Sequence, residues 1–124
     1  MRSFVMQDWI TIRGASATPI NQGESEWLDM GPYQDLSFYV DVREYSGSST
    51  PTLQFQTAPI KDEVLFQAML SSAISVSSIT NPYRVPITTS AVPVAQWVRW
   101  QLVGPASTWD VTFRVLVAAD ALGL

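Results

Sequence analysis

The fold is decided near the C-terminus, by Pro93-Val-Ala-Gln-Trp-Val-Arg-Trp-Gln-Leu-Val103, Gly104-Pro-Ala-Ser-Thr108 and Trp109-Asp-Val-Thr-Phe-Arg-Val-Leu-Val117. Two runs of alternating aromatic and β-branched residues flank a short break that starts with Gly-Pro. This pattern predicts a β-hairpin, two antiparallel strands joined by a loop of five residues. The stretch therefore favours a β fold, and the chain around it carries no recognisable catalytic motif.

Alternation along each arm of the predicted hairpin separates a core face from an outer face. The residues expected to face the core are Val98, Trp100, Leu102, Val111, Phe113, Val115 and Val117. The residues expected to face outward are Trp97, Arg99, Gln101, Asp110, Thr112, Arg114 and Leu116. Both apolar sets must face the same core, which leaves two registers for the pair of strands.

The two registers differ in the partner that they give Arg114. One places Arg99 opposite Arg114, and two facing guanidinium groups repel each other unless an anion lies between them. The other places Trp97 opposite Arg114, which allows a cation–π contact worth about 0.5–1 kcal/mol at an exposed site. In that register Arg99 faces Thr112 and Gln101 faces Asp110. We predict the second register.

Further strands are predicted along the rest of the chain. Residues 4–12 are rich in strand formers, and residues 27–30 form a short second strand before Gly31-Pro32. Residues 36–44 and 52–57 show the clearest alternation. Because a short Ser-rich loop separates these two, we expect them to pair as antiparallel neighbours.

The segment between these strands and the hairpin is harder to assign. Residues 61–70 fit a short amphipathic helix or a buried strand, and we expect a strand. Residues 71–78 are a strand in a Ser-rich setting, and Pro86 confines residues 83–89 to an edge. With eight or nine short strands, residues 1–124 form one all-β domain, an antiparallel β-sandwich of jelly-roll type.

The composition limits the kinds of partner. Hydrophobic residues make up 47% of the chain and charged residues 15%, against roughly 25% charged in ordinary soluble domains. A surface with so little charge is expected where Ser, Thr and Gln replace charge or where it meets another subunit. The net charge of −4 and seven scattered basic residues argue against nucleic acid.

The sequence also bears on location. No apolar run approaches the roughly 20 residues of a membrane span, so we expect no membrane partner. Asp8 interrupts the apolar start, which is unlike a signal peptide. We expect synthesis in the cytoplasm, and a place on the surface of a virion or particle if the chain joins an assembly.

The absence of histidine and cysteine removes the usual triad base, zinc ligands and thiol nucleophile. The paired carboxylates lie in no catalytic or calcium-binding motif, and we interpret them as solvated charges. They are Asp41 with Glu44, Asp62 with Glu63, and Glu24, Glu26 and Asp29. We therefore expect no enzyme, no metal and no cofactor.

Two non-enzymatic functions remain open. Five tryptophans and four tyrosines provide stacking platforms for a glycan, and Trp97 and Tyr39 lie on predicted outer faces. Alternatively the chain is a structural subunit, with Trp97, Arg99, Arg114 and Tyr39 as its contact surface. Residues 118–124 would then form an extended C-terminal arm whose Leu122 and Leu124 dock on a neighbour.

Three runs carry a resemblance to a known group of proteins. Leu36-Ser-Phe-Tyr-Val-Asp-Val, Phe55-Gln-Thr-Ala-Pro59, and Trp97-Val-Arg-Trp100 followed by Thr112-Phe-Arg114 resemble small β-sandwich proteins of tailed bacteriophages. These include capsid decoration proteins, which sit outside the shell, often as trimers. The resemblance covers the strand pattern over most of the chain and transfers no site residue. It implies a homo-oligomer, a trimer by preference, that reinforces a larger protein shell.

Trp100 is the expected centre of the core. Trp100→Ala should lower the free energy of unfolding by about 3–5 kcal/mol, enough to unfold many domains of this size. Thermal unfolding followed by circular dichroism measures the effect. An unchanged melting temperature would show that Trp100 lies outside the core.

Overall fold

The computed structural model describes residues 2–47, 50–70, 73–76, 83–87 and 94–121, with the backbone alone at 2, 34–35, 83–87 and 121. These residues form ten strands and two single 3₁₀ turns, Glu24–Glu26 and Glu63–Leu65. The strands are β1 Arg2–Gly14, β2 Ile20–Asn21, β3 Leu28–Asp29, β4 Tyr33–Gly47, β5 Thr52–Ala58, β6 Gln67–Ala68, β7 Ile74–Ser75, β8 Tyr83–Ile87, β9 Trp97–Val103 and β10 Trp109–Ala121. Within the described ranges, no helix is long and apolar enough to cross a membrane.

The strands make two antiparallel sheets that the chain visits in turn. Sheet A has the order β1-β10-β4-β8. Sheet B has the order β2-β9-β5-β6, with β3 also on β9 and β7 also on β5. The chain changes sheet after β1, β3, β4, β7, β8 and β9, as in two interlocked Greek keys. The predicted all-β sandwich of jelly-roll type is confirmed, although β1, β4 and β10 are longer than the short strands expected.

The predicted hairpin is wrong. Strand β9 pairs with β5 in sheet B, while β10 pairs with β1 and β4 in sheet A. Neither predicted register exists, since the residue opposite Arg114 is Asp41 and the residue opposite Arg99 is Gln56. The expected pairing of residues 36–44 with 52–57 is wrong for the same reason, because β4 and β5 lie in different sheets. Alternating apolar residues show only that two strands face the same core. Strands in opposite sheets meet that condition as well as paired neighbours do.

The corner between β9 and β10 is filled by one side chain. Trp109 is 2% exposed, and its indole ring lies against the backbone of Gly14 and Gly104. A Cβ atom added at either glycine would overlap the Trp109 ring. The indole Nε1 is buried and has no hydrogen-bond partner among the described residues. The ring thus fills the space where the chain passes from sheet B to sheet A.

The core lies between the two sheets, where the predicted inward face is confirmed. All seven residues expected to face it are at most 2% exposed. Phe38 of sheet A stacks on Phe55 of sheet B with ring centroids 3.9 Å apart. Trp100 meets Phe113 edge to face at 5.4 Å, and its Nε1 donates to Gln7 Oε1 at 3.2 Å. These cross-sheet ring pairs hold the two layers together.

The structure agrees in part with the predictions for the remaining segments. The strand predicted over 4–12 is β1, and Pro86 lies on β8, at the edge of sheet A, as expected. The strand preferred over 61–70 is wrong for most of its length, because only β6 pairs with a neighbouring strand and a 3₁₀ turn precedes it. The Asp62 carboxylate accepts from the Val64 N–H at 3.2 Å, which favours a turn over a strand here.

Gly104→Ala should destabilise the fold because the added methyl group overlaps the buried Trp109 ring. We expect a loss of about 1–3 kcal/mol in the free energy of unfolding, measured by chemical denaturation. Gly23→Ala is the matched control, since nothing lies within 4 Å of its added Cβ, and it should change stability by less than about 1 kcal/mol. Equal effects of the two substitutions would contradict the account of the corner.

Candidate functional site

The residues predicted to form one outward cluster lie on opposite faces of the sandwich. Trp97 and Arg99 belong to β9, on the outer side of sheet B, and Arg114 belongs to β10, on the outer side of sheet A. The predicted Trp97–Arg114 contact is therefore wrong. Tyr39 lies on the same side as Arg114, opposite Leu116 in the register of β4 and β10. Leu122 and Leu124 lie outside the described residues.

Arg99 is buried on the outer side of sheet B, although alternation places it outward. Its side chain is 4% exposed because Trp27 and Phe66 cover it. The guanidinium carbon lies 5.3 Å from the Trp27 ring centroid and 4.0 Å from that of Phe66, and the two rings meet edge to face at 4.8 Å. Arg99 thus joins two segments that come from different parts of the chain.

Polar contacts complete the surroundings of Arg99. Its Nε donates to Gln56 Oε1 at 2.9 Å, and its Nη1 pairs with Glu63 Oε1 at 3.2 Å. Burial lowers the pKa of Arg99 from its usual value, and the nearby Glu63 carboxylate opposes that effect. Ring faces, an amide and a carboxylate replace the water that a cation otherwise needs. Arg99 therefore fastens this face together and is poorly placed to contact a partner.

Gln22 connects the Trp27 segment to the core, a role that no sequence pattern indicates. Gln22 is 2% exposed. Its side-chain Nε2 donates to the Met6 backbone carbonyl at 2.7 Å, and its backbone carbonyl accepts from Trp27 Nε1 at 2.8 Å. Its Oε1 accepts from the Trp100 N–H at 3.4 Å. A buried glutamine with these partners fixes the position of Trp27 over Arg99.

Trp97 also has a cation on its ring. Lys61 Nζ lies 4.4 Å from the ring centroid, and the indole packs against the small cluster of Trp27, Ala58 and Phe66. The ring face that a sugar would stack on is thus partly occupied by the protein itself.

An exposed apolar loop lies beside Trp97. Residues 60–65, which we call the apolar loop, include Ile60, Val64 and Leu65, which are 56%, 83% and 39% exposed. Glu63 and Lys61 of the same loop contact Arg99 and Trp97. The loop therefore presents aliphatic side chains to solvent while its charged residues hold it on sheet B.

The outer side of sheet A carries a second cation–aromatic group. Arg114 and Arg43 lie over the Trp9 ring, with guanidinium carbons 4.8 and 4.2 Å from its centroid. Arg114 also pairs with Asp41, Nη2 to Oδ2, at 3.1 Å. We call this group of one ring, two guanidinium groups and one carboxylate the Trp9 cluster. Two further carboxylates lie beside it: Asp8, whose Oδ1 accepts from the Trp9 N–H at 2.8 Å, and Glu44, opposite Thr112 on the same side of sheet A.

Tyr39 borders a shallow apolar depression next to the Trp9 cluster. Val5, Leu116 and Tyr39 lie side by side across β1, β10 and β4, and Val5 is 59% exposed. We call the depression the apolar groove. Its volume is about 240 Å³, and it is lined by Ser3, Phe4, Val5, Tyr39, Leu116, Val117 and Ala118. It is an open surface for an aliphatic side chain.

The carboxylates form no metal-binding group in the part of the chain that the structure describes. Asp41 and Glu63 each pair with an arginine, and no group of three acidic residues there is close enough to hold a metal ion. The described surface carries the apolar loop on one face, and on the other the apolar groove beside the Trp9 cluster.

Comparison with known proteins gives little to add. No protein-family model and no curated protein sequence matches the chain. A solved structure of Bacillus endospore appendages, described as a family of disulfide-linked pili, is similar with a TM-score of 0.48 and 16% identity, over 94% of this chain and 88% of that one. A likeness at this level says nothing about what the chain does.

The two arginines predicted as contact residues should differ in their effect on stability. Arg99→Ala removes a buried side chain from between two rings and should cost about 2–4 kcal/mol. Arg114→Ala removes a half-exposed ion pair and should cost about 1 kcal/mol or less. Chemical denaturation of both variants measures the difference. Equal costs would contradict the structural role given to Arg99.

Proposed function

We propose that this chain is a non-enzymatic structural subunit that binds copies of itself and a larger protein assembly. One observation carries the proposal: exposed aliphatic side chains are grouped in two places, the apolar loop and the apolar groove. Val64 is 83% exposed and Val5 is 59% exposed. Grouped aliphatic residues on an otherwise polar surface are typical of sites that meet another protein.

The composition supports a contact role. Charged residues make up 15% of the chain, and four cations on the outer faces, those of Arg43, Lys61, Arg99 and Arg114, lie over aromatic rings. Interfaces between proteins are depleted in free charge at their centres and enriched in aromatic residues and arginine. The Trp9 cluster and the apolar groove together have this character.

We place the subunit on the surface of a virion or similar particle, as a decoration protein. The support is the resemblance of its strand pattern to small phage sandwich proteins, together with the jelly roll, a fold common in viral capsids and in lectins. This is an argument by analogy between folds. The glycan-binding alternative loses its best platform, because Lys61 lies on Trp97.

Self-association is tested by analytical ultracentrifugation. We expect species heavier than the 13.7 kDa monomer, in amounts that grow with concentration and persist in high salt, because apolar contacts are not screened. A glycan array on the same preparation tests the alternative. A monomer at every concentration that binds a glycan, with binding lost in Trp97→Ala, would overturn the proposal.

The location on a particle needs a separate measurement. In cells that produce the protein, a tagged chain should sediment with large particles in a density gradient and appear on their surface by immunogold electron microscopy. A tagged chain found only in the light fractions would contradict the decoration role, whatever its oligomeric state.

A further inference from the structure

We propose that strand β1 is exchanged between copies, so that β1 of one copy pairs with β10 of a second copy. This inference rests on the proposed self-association and names the element that performs it. The structure itself shows what covers the β10 edge, because β1 pairs with it along its length. An identical β1 from a second copy fits that edge as well as the chain's own.

Strand β1 supplies a part of the core that the rest of the molecule lacks. Met6 is 1% exposed, and Phe4, Ile10 and Ile12 pack against the main core cluster. Removal of β1 would open the core to water and leave the backbone groups of one edge of β10 unpaired, and both changes are costly. Each copy therefore needs one β1, either its own or that of a neighbour.

Polar contacts from elsewhere in the chain also hold β1. Trp100 Nε1 donates to Gln7 Oε1 at 3.2 Å, and Gln22 Nε2 donates to the Met6 carbonyl at 2.7 Å. A transferred β1 makes these same bonds in the second copy, because its sequence and its site are unchanged. The closed and the exchanged forms thus share their contacts, and they differ in the path of the connecting segment and in the entropy of association.

The segment that connects β1 to β2 is suited to exchange. Residues 15–19, which we call the linker, run from sheet A to sheet B and are all exposed. Thr18 N–H donates to Ser16 Oγ at 3.4 Å within the linker, and among the described residues no hydrogen bond joins the linker to either sheet. The linker can therefore lead β1 to a second copy without the loss of such bonds, and short connections of this kind favour exchange between copies.

Strand β1 is also the long strand that is held least. Strand β4 pairs with β10 and β8, and β10 pairs with β4 and β1, whereas β1 lies at the edge of sheet A and pairs with β10 alone. The ladder between β1 and β10 shifts register twice, between Val5 and Gln7 and between Gln7 and Ile10. Release of β1 therefore breaks one interrupted ladder, while release of β4 or β10 would break two.

Disulfide trapping identifies the copy that supplies β1, and the chain has no native cysteine. Ser3 of β1 and Ser37 of β4 both lie opposite Ala118 of β10, one on each side. Directly opposed residues in antiparallel strands have the spacing that a disulfide needs. Ser3→Cys with Ala118→Cys joins β1 to β10, and Ser37→Cys with Ala118→Cys joins β4 to β10 as the matched control. The associated fraction of each variant is oxidised, denatured and analysed on a non-reducing gel.

The two variants should give different products. With exchange, the disulfide from Ser3→Cys joins two different chains, so we expect covalent dimers or longer ladders. The disulfide from Ser37→Cys stays within one chain and should give single chains. Single chains from both variants, or equal amounts of dimer from both, would overturn the exchange and leave self-association intact. A wild-type chain that is monomeric at every concentration would refute both proposals.

The same variants allow β1 to be locked before association. Oxidation of the dilute monomer with Ser3→Cys and Ala118→Cys ties β1 to its own β10. On concentration this form should associate at least about tenfold more weakly than the wild type in ultracentrifugation, and reduction should restore its association. The oxidised Ser37→Cys, Ala118→Cys monomer should associate as the wild type does. A locked Ser3→Cys, Ala118→Cys monomer that associates as strongly as the wild type would overturn the exchange.

Discussion

The structure depends on the Trp109 ring packed against Gly14 and Gly104. Because neither glycine has a side chain, the indole reaches the backbone on both sides, and the chain passes from sheet B to sheet A around it. The ring fills the corner between β9 and β10, which lie in opposite layers because β9 pairs with β5 while β10 pairs with β1 and β4. The outward residues of the two strands then lie on opposite faces of the molecule, with Arg99 on sheet B and Arg114 on sheet A.

Cations stacked on aromatic rings shape both outer faces. Arg99 lies between Trp27 and Phe66, Lys61 lies on Trp97, and the Trp9 cluster gathers two arginines on one ring. Such contacts use positive charge inside the molecule that would otherwise repel a partner or attract nucleic acid. Among the described residues, the large aliphatic side chains that stay exposed lie in the apolar loop and beside the apolar groove.

The sequence predicted the class of fold and the core, but it did not predict the pairing of strands. Alternation identifies Val98 and Phe113 as core residues because burial has a period of two, and the structure confirms this. Alternation does not distinguish strands that pair in one sheet from strands in opposite sheets, so the sequence predicts a hairpin of β9 and β10. The burial of Arg99 was missed because its cover comes from Trp27 and Phe66, which are remote in sequence and belong to no pattern. Glycines at 14 and 104 signal the close approach of Trp109 only once the corner is known.

Inter-strand nuclear Overhauser effects test most directly whether β9 and β10 lie in opposite sheets. The account predicts contacts between α-protons and amide protons of β10 and those of β1 and β4, including the pair Arg114 and Asp41, and contacts of β9 with β5, including Arg99 and Gln56. It also predicts no backbone contact between the middle of β9 and the middle of β10. A continuous ladder of contacts between β9 and β10, with Trp97 or Arg99 opposite Arg114, would contradict the account.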